Sequence, residues 1–334
     1  MDEEGDVVKL LDMFWDMVRG GAVEDVKAVV EAAPGLVPSL VGTSLLGDAV
    51  GSGEWGVVEV LLRAGFPWNA LDNDGKTAGE VALAHGKEKM YRLLVEEGVR
   101  TELLMASMNR HEQVDKSLTR EKIFLSKTLV FEENRLVDED RDAVMMGWEE
   151  ELMREHASVL CPSDGLSVLN IGFGLGIMDR ELQKYKPARH VIIEAHPDVY
   201  AHMVHHGWDQ KTGVKILFGR WQDVVQSSGS FDAVFFDTFG EFYEDLREFH
   251  KIVPILLKPS GIYSFFNGLA GTNRFFHDVY CEIAAIDLEE LGIDTVFRSV
   301  AVNGLNNAEQ WKGIRRQYFT LDTYRLPICR LRSS

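Results

Sequence analysis

Gly172, Gly174 and Gly176 stand at alternate positions directly after a short apolar run, Val168 to Ile171, and Glu194 ends a second apolar run that starts at His190. Glycine reaches positive φ without strain and lets a ligand approach the backbone where a Cβ would clash. Such a bed at the end of one strand, with an acid at the tip of the next, suits a nucleoside whose ribose hydroxyls donate to the carboxylate. Dinucleotides call for G-x-G-x-x-G, whose third glycine packs helix against strand. Here the spacing is G-x-G-x-G, and Ile177 occupies the place of that glycine. The tighter spacing fits a nucleoside with no pyrophosphate to seat on the helix N-terminus. S-adenosylmethionine (SAM) is such a ligand, with Glu194 accepting from both ribose hydroxyls. The alternative is a glycine-rich turn in an α/β domain that binds no cofactor.

These residues need a βαβ unit to hold them. Val168 to Ile171 reads as a buried parallel strand, Leu175 to Tyr185 as a helix and His190 to Ile193 as the next strand. Downstream the pattern predicts a helix over Pro197–His206 and a strand over Val214–Phe218. It then predicts a strand over Phe231–Phe236 that ends at Asp237, and a long helix over Glu241–Leu257. Lys258-Pro259-Ser260-Gly261 reads as a turn into a strand over Ile262–Phe266. A helix over Arg274–Leu291, a strand over Thr295–Val302 and a last strand over Gln317–Tyr324 complete the pattern. Five βα units closed by a hairpin-like final pair make an α/β fold, a seven-stranded doubly wound sheet of the class I SAM-dependent methyltransferase arrangement. Ligands of such sheets sit at the carboxyl ends of the strands. The strand-four exit, Asp237-Thr238-Phe239-Gly240, is not the Asn/Asp-Pro-Pro-Tyr of base-amino methyltransferases.

Upstream, Met105 to Ser117 reads as a helix running into a linker, and Lys127–Phe131 and Asn134–Val137 as two short strands. From Ala143 to Leu160, Trp148, Leu152, Val159 and Leu160 fall near helical spacing, which predicts an amphipathic helix. Its acids Glu149 to Glu151 complement the helix dipole, whatever else they do.

Residues 1–105 carry a repeat. Gly21, Gly53 and Gly86, and the pairs Val29-Val30, Leu61-Leu62 and Leu93-Leu94, recur about every 33 residues, the ankyrin period. Leu71 to Thr77 resembles the turn that opens an ankyrin repeat, with T-P-L-H replaced by Thr77-Ala78-Gly79-Glu80. An all-α stack of this kind binds proteins and has no chemistry of its own, and a helical cap that only stabilises the next domain is the alternative. The expected organisation is a repeat domain over 1–105, a linker and N-terminal extension over 106–165, and the catalytic domain over 166–334.

Composition narrows the partners. Lys+Arg 35 against Asp+Glu 53 gives a net charge of -18, which excludes a general nucleic-acid binder because phosphate contact needs a basic face. A basic protein partner is easier to accommodate. No stretch approaches the ~20 apolar residues of a membrane helix, and the acidic N-terminus lacks the layout of a signal peptide. Cys161, Cys281 and Cys329 form no C-x-x-C, which points to a reducing compartment. The expected location is the cytoplasm, with nuclear access left open. His202, His205 and His206 include an i,i+4 pair, but without H-E-x-x-H or a third ligand no metal is expected.

Val144 to Asn267 resembles guanidinoacetate N-methyltransferase. The matching pieces are V-M-M-G-W-E from Val144, V-L-N-I-G-F-G-L-G-I from Val168, I-I-E-A from Ile192, G-R-W-Q-D-V from Gly219, F-F-D-T from Phe235 and L-L-K-P-S-G from Leu256. With ankyrin-like repeats ahead of it, the chain resembles the fungal and plant type IV protein arginine methyltransferases, which methylate the internal (δ) guanidino nitrogen. The resemblance implies a SAM site formed by Phe124 or the competing Phe131, Met153, Gly172, Phe173, Gly174, Leu175, Gly176, Ile177, Glu194, Ala195, His196, Trp221, Gln222 and Asp237. Phe173 and Ile177 would line the adenosine and methionine side. Glu149 and Asp237 would be the catalytic carboxylates, gripping a guanidinium from two sides by charge-assisted hydrogen bonds. An arginine-containing protein is the implied substrate. A small-molecule guanidino methyltransferase and a non-catalytic repeat scaffold with a relic domain are the alternatives.

Overall fold

The computed structural model describes residues 3–108, 121–239, 243–305 and 308–332. The chain divides into two compact units: Met1–Met108 with Arg274–Val279, and Asn109–Asn273 with Tyr280–Ser334.

The first unit is helical. Glu3–Gly20 pairs with Val23–Ala32, Leu45–Ser52 with Trp55–Arg63, and Ala78–Ala84 with Glu88–Met108. The chain reverses at Gly21, Gly53 and Gly86, the glycines that mark the sequence period, all at positive φ. The third pair opens on a capping box: Glu80 N donates to Thr77 Oγ1 at 3.1 Å and Thr77 N donates to the Glu80 carboxylate at 2.8 Å. Residues 274–279 complete this core. Trp68 meets the Phe275 and Phe276 rings edge-on, each at 5.6 Å, and Tyr91 Oη donates to Asp278 at 2.7 Å.

The second unit contains a three-stranded antiparallel sheet and a seven-stranded sheet. The small sheet runs β1 (Leu129–Glu132), β2 (Arg135–Asp138), β3 (Ala143–Met146). The large sheet is built from β4 (Ser167–Ile171), β5 (Arg189–Glu194), β6 (Val214–Phe218), β7 (Phe231–Phe236), β8 (Leu257–Phe265), β9 (Ile293–Ala301) and β10 (Thr323–Leu331). Its order is β6-β5-β4-β7-β8-β10-β9, with β10 antiparallel to both neighbours. This is the class I SAM methyltransferase sheet. The order reverses at β4, so a ligand crevice is expected at the carboxyl end of that strand, where the glycine loop lies.

Three expectations shift. The expected helix over Ala143–Leu160 divides: Ala143–Met146 is β3, Gly147–Glu149 a 3-10 turn, and the α-helix runs Glu150–Leu160. Pairing with β2 overrides the helical spacing. The expected helix from Glu241 is interrupted: Tyr243–His250 and Val253–Leu256 are separate helices, and Glu241 with Gly240 lies outside the described residues. Pro254 cannot donate to a continuing helix. The last strand is not Gln317–Tyr324 but β10, Thr323–Leu331. Pro327 argues against a central strand, yet β10 pairs along its length with β9, and its ladder with β8 runs through Cys329 and Arg330, past the proline. The Pro327 carbonyl accepts from Ser264 Oγ at 2.5 Å instead. Of the expected 105–117 helix and linker, residues 109–120 lie outside the described residues.

Gly172 has φ +90°, and a Cβ there would lie 1.7 Å from the Asp237 carbonyl oxygen. Any side chain would push the ends of β4 and β7 apart. Gly172→Ala is therefore expected to cost ~3 kcal/mol or more and to abolish SAM binding. Denaturant unfolding within 1 kcal/mol of wild type, with SAM affinity kept, would contradict this close approach.

Candidate active site

The carboxyl ends of β4, β5 and β7 open into a cavity of about 340 Å³. Its wall includes Gly172, Phe173 and Gly174 after β4, Glu194, Ala195 and His196 after β5, Trp221 and Gln222 after β6, and Asp237 after β7, with Phe124 opposite. Those ten residues, all expected from sequence, are brought together. Phe124 stacks on Phe239 at 3.8 Å with a 6° tilt. Phe131 is elsewhere, stacked on His202.

Five expected residues are not part of the wall. Met153 and Ile177 lie in the hydrophobic core, because each sits on the buried face of its helix, Glu150–Leu160 and Ile177–Gln183. Leu175 and Gly176 close the loop: Gly176 N donates to Phe173 O at 2.7 Å, and Leu175 N donates to Met145 Sδ at 3.2 Å. Glu149 is buried outside the cavity wall.

A buried polar chain sets the loop. Asn170 Nδ2 donates to the Gly172 carbonyl at 2.9 Å and to Asp179 at 2.8 Å. Asp179 also meets His190 Nε2 at 3.0 Å, and His190 Nδ1 lies 2.8 Å from Gln183 Nε2. On the cavity side, Glu194 takes Phe173 N–H at 2.9 Å on one oxygen and His196 N–H at 2.7 Å on the other. Burial pushes the Glu194 carboxyl up, against the backbone N–H bonds that favour its ionised form.

The residues present fit SAM. Each Glu194 oxygen retains acceptor capacity for a ribose hydroxyl beyond its one backbone bond. Gln222 Oε1 is a buried acceptor on the cavity wall with no partner among the described residues, and it suits the exocyclic amine of adenine. Glu194→Ala is expected to weaken SAM by ~2 kcal/mol or more, and titration calorimetry showing unchanged affinity in a folded variant would displace the ribose from this acid.

Glu149 precedes the helix Glu150–Leu160, and Met146 N donates to its Oε1 at 2.7 Å. The same oxygen accepts a short hydrogen bond from Tyr318 Oη. Burial, and then the Asp237 charge, raise the Glu149 carboxyl to about 8. Burial raises Asp237 to about 7. No lysine or arginine among the described residues offsets either charge. The two buried acids are close enough in their electrostatics to titrate together.

Sequence reading missed Tyr318, Met145 and Phe239. Tyr318 was read as part of a strand, and nothing local ties it to an acid 169 positions earlier. Met145 was assigned to a helix. Phe239 lies in the quoted strand-four exit, whose aromatic was the available signal.

The raised pKa values have a consequence for stability. Between the ordinary carboxylate range and about pH 8, the ligand-free folded protein holds protons at Glu149 and Asp237 that the unfolded chain releases. Folded-state stabilisation from these groups is therefore present at low pH and lost as pH rises through that window. Glu149→Gln should flatten this fall. Melting temperatures of variant and wild type that keep a constant difference from pH 5 to pH 8 would contradict the raised values.

A family model described as guanidinoacetate N-methyltransferase matches residues 137–306. A protein of Aspergillus oryzae named protein arginine N-methyltransferase 2 is 38% identical over 320 residues, covering 82% of this chain and 77% of that protein. The protein of the same name from Cryptococcus neoformans is 36% identical over 353 residues, covering 92% of this chain and 94% of that protein. The one from Saccharomyces cerevisiae is 33% identical over 316 residues, covering 81% and 76%. Matches of this identity over most of both chains show the lineage: the chain belongs to the protein arginine N-methyltransferase 2 family, with a catalytic unit of the guanidinoacetate N-methyltransferase type.

Proposed function

We propose that this protein transfers a methyl group from SAM to a guanidino nitrogen of an arginine residue in a protein, and that the nitrogen is the internal δ one. The observation that carries the reading is the pair of buried, mutually repelling carboxylates, Asp237 on the wall of the glycine-loop crevice and Glu149 behind that wall. A buried acid pair is stabilised by a cation, and a planar guanidinium offers donors to two carboxylates at once. Its pKa above 12 makes it a poor nucleophile in water. Glu149 and Asp237 localise its positive charge on the nitrogens they hold and leave the remaining nitrogen free to attack. SAM supplies a sulfonium methyl, whose bonding pair returns to sulfur as the new N–C bond forms. The product guanidinium keeps its single charge, so one proton leaves the nitrogen, and a carboxylate with a raised pKa is suited to receive it. Positioning provides most of the acceleration, for which effective molarities reach ~10⁵ M or more.

The three N-terminal helix pairs support a protein substrate, because an ankyrin-like stack presents a surface for polypeptide and a small guanidino compound needs none. The net charge of -18 favours a basic substrate. The second reading, a small-molecule guanidino methyltransferase, is favoured by the family model over residues 137–306. Incubation with labelled SAM and cell extract, followed by mass analysis of the labelled residue, separates the two. Label confined to small molecules would reverse the choice, and label on a terminal arginine nitrogen would remove the δ assignment.

Glu149→Gln keeps the size of the side chain and removes its charge. It should leave SAM affinity nearly intact and lower turnover ~30- to 150-fold, the equivalent of ~2–3 kcal/mol. Asp237 lines the cavity wall and Glu149 does not, so Asp237→Asn should also weaken SAM. The double variant should lose less than the product of the two effects. Steady-state kinetics showing near-wild-type turnover in Glu149→Gln would reduce that acid to a helix-end charge.

A further inference from the structure

We infer that Tyr318 is a positioning residue for methyl transfer, fixing one oxygen of Glu149 so that residues 308–322, between β9 and β10, complete the guanidinium site. This inference rests on the assignment of Glu149 as one arm of the grip.

The geometry leads from the strap to the acid. Residues 308–322 run back over the β2–β3 hairpin, where Arg135 donates to Lys312 O at 2.8 Å and Arg141 Nε donates to Gly313 O at 3.0 Å. Arg315 N donates to Arg141 O at 2.9 Å, and the Arg315 side chain forks onto Asp142, with Nε 2.8 Å from Oδ1. So anchored, the strap lays Tyr318 against Trp148 and Trp311, at 5.7 and 5.6 Å between ring centroids. The phenol oxygen is thereby held on Glu149 Oε1, which also takes the Met146 N–H. Both bonds fall on one oxygen, so Glu149 Oε2 is left as the acceptor for a substrate N–H.

Among the described residues, the charged and titratable groups facing Glu149 are Asp237 at the end of β7, Tyr318 on the strap and Tyr324 on β10. Asp237 opposes ionisation of Glu149, and the Tyr318 hydrogen bond favours it. Neither phenol ionises in the working range, because burial raises both well above their ordinary value. Tyr318 is thus the side-chain donor that favours the charged form of Glu149.

Tyr318→Phe removes the donor and keeps the ring. The free enzyme must ionise Glu149 to grip a cation, so the acid limb of kcat/KM against pH, at saturating SAM, should move up by about one to two pH units. At pH 7 kcat/KM should fall ~10-fold or more, recover toward wild type above that limb, and leave SAM affinity unchanged. In the Glu149→Gln background the same substitution should shift nothing further. A Tyr318→Phe profile parallel to wild type, lower at every pH or unchanged, would overturn the inference while Glu149→Gln remains impaired. Near-wild-type activity of Glu149→Gln would instead overturn the assignment of Glu149 itself. Should Tyr318→Phe be poorly folded, Arg315→Ala, which loosens the strap, provides the second comparison. An upward move of the acid limb there supports the inference, and an unmoved limb overturns it.

Discussion

Repulsion between two buried acids is the constraint that the catalytic unit is arranged around. Glu149 and Asp237 come from different elements, a 3-10 turn and the end of β7, and are taken out of water, with burial raising both. Left alone, such a pair stays partly protonated. In the function proposed above, the cost is recovered when the guanidinium arrives, which makes the repulsion a source of selectivity. A neutral amide or hydroxyl would leave the acids as poorly compensated as before. Every neighbouring device serves that exchange: the close approach of Gly172 to the Asp237 carbonyl, the Met146 N–H on Glu149, and the aromatic packing of Trp148.

The glycine loop solves a separate problem, placing a ligand next to these acids with little reorganisation. Asn170, Asp179, His190 and Gln183 form a polar chain beneath it, while Glu194 ties it from the opposite side. A loop already fixed by side-chain and backbone hydrogen bonds loses little entropy on binding. Buried polar networks of this kind are sensitive to single losses, so residues remote from the reacting atoms, such as Asn170, carry weight in the geometry.

How much of this could be read from sequence follows from how local each signal is. Continuous apolar strands with glycine or an acid at their ends announced β4, β5, β6 and β7, and the family resemblance supplied the ten residues of the cavity wall, Phe124 among them. Short-range period likewise marked the glycines at which the N-terminal helix pairs reverse. Met153 and Ile177 illustrate the limit: adjacency to the loop in sequence did not reveal which face of a helix they occupy. β3 was hidden because four residues that pair as a strand also fit helical spacing. β10 lies further along the chain than expected, because its pairing with β9 is set by tertiary contact and not by a local pattern. Tyr318 had no local signal at all, since its partner is brought to it only by the completed sheet.

The position of β10 has a bearing on how the molecule is made. It is the last of the described strands in sequence, yet it lies between β8 and β9. Ribosomes deliver residues in order, at roughly 5–20 per second, so β9 emerges before the strand that joins it to the sheet. Until then the edge of β8 remains an unpaired ladder, the kind of surface that invites wrong partners. The catalytic unit is thus constrained to close in a single event that waits for β10, after every other strand of the sheet has emerged. A nascent chain arrested before Thr323 would carry an almost complete cofactor crevice on an open sheet.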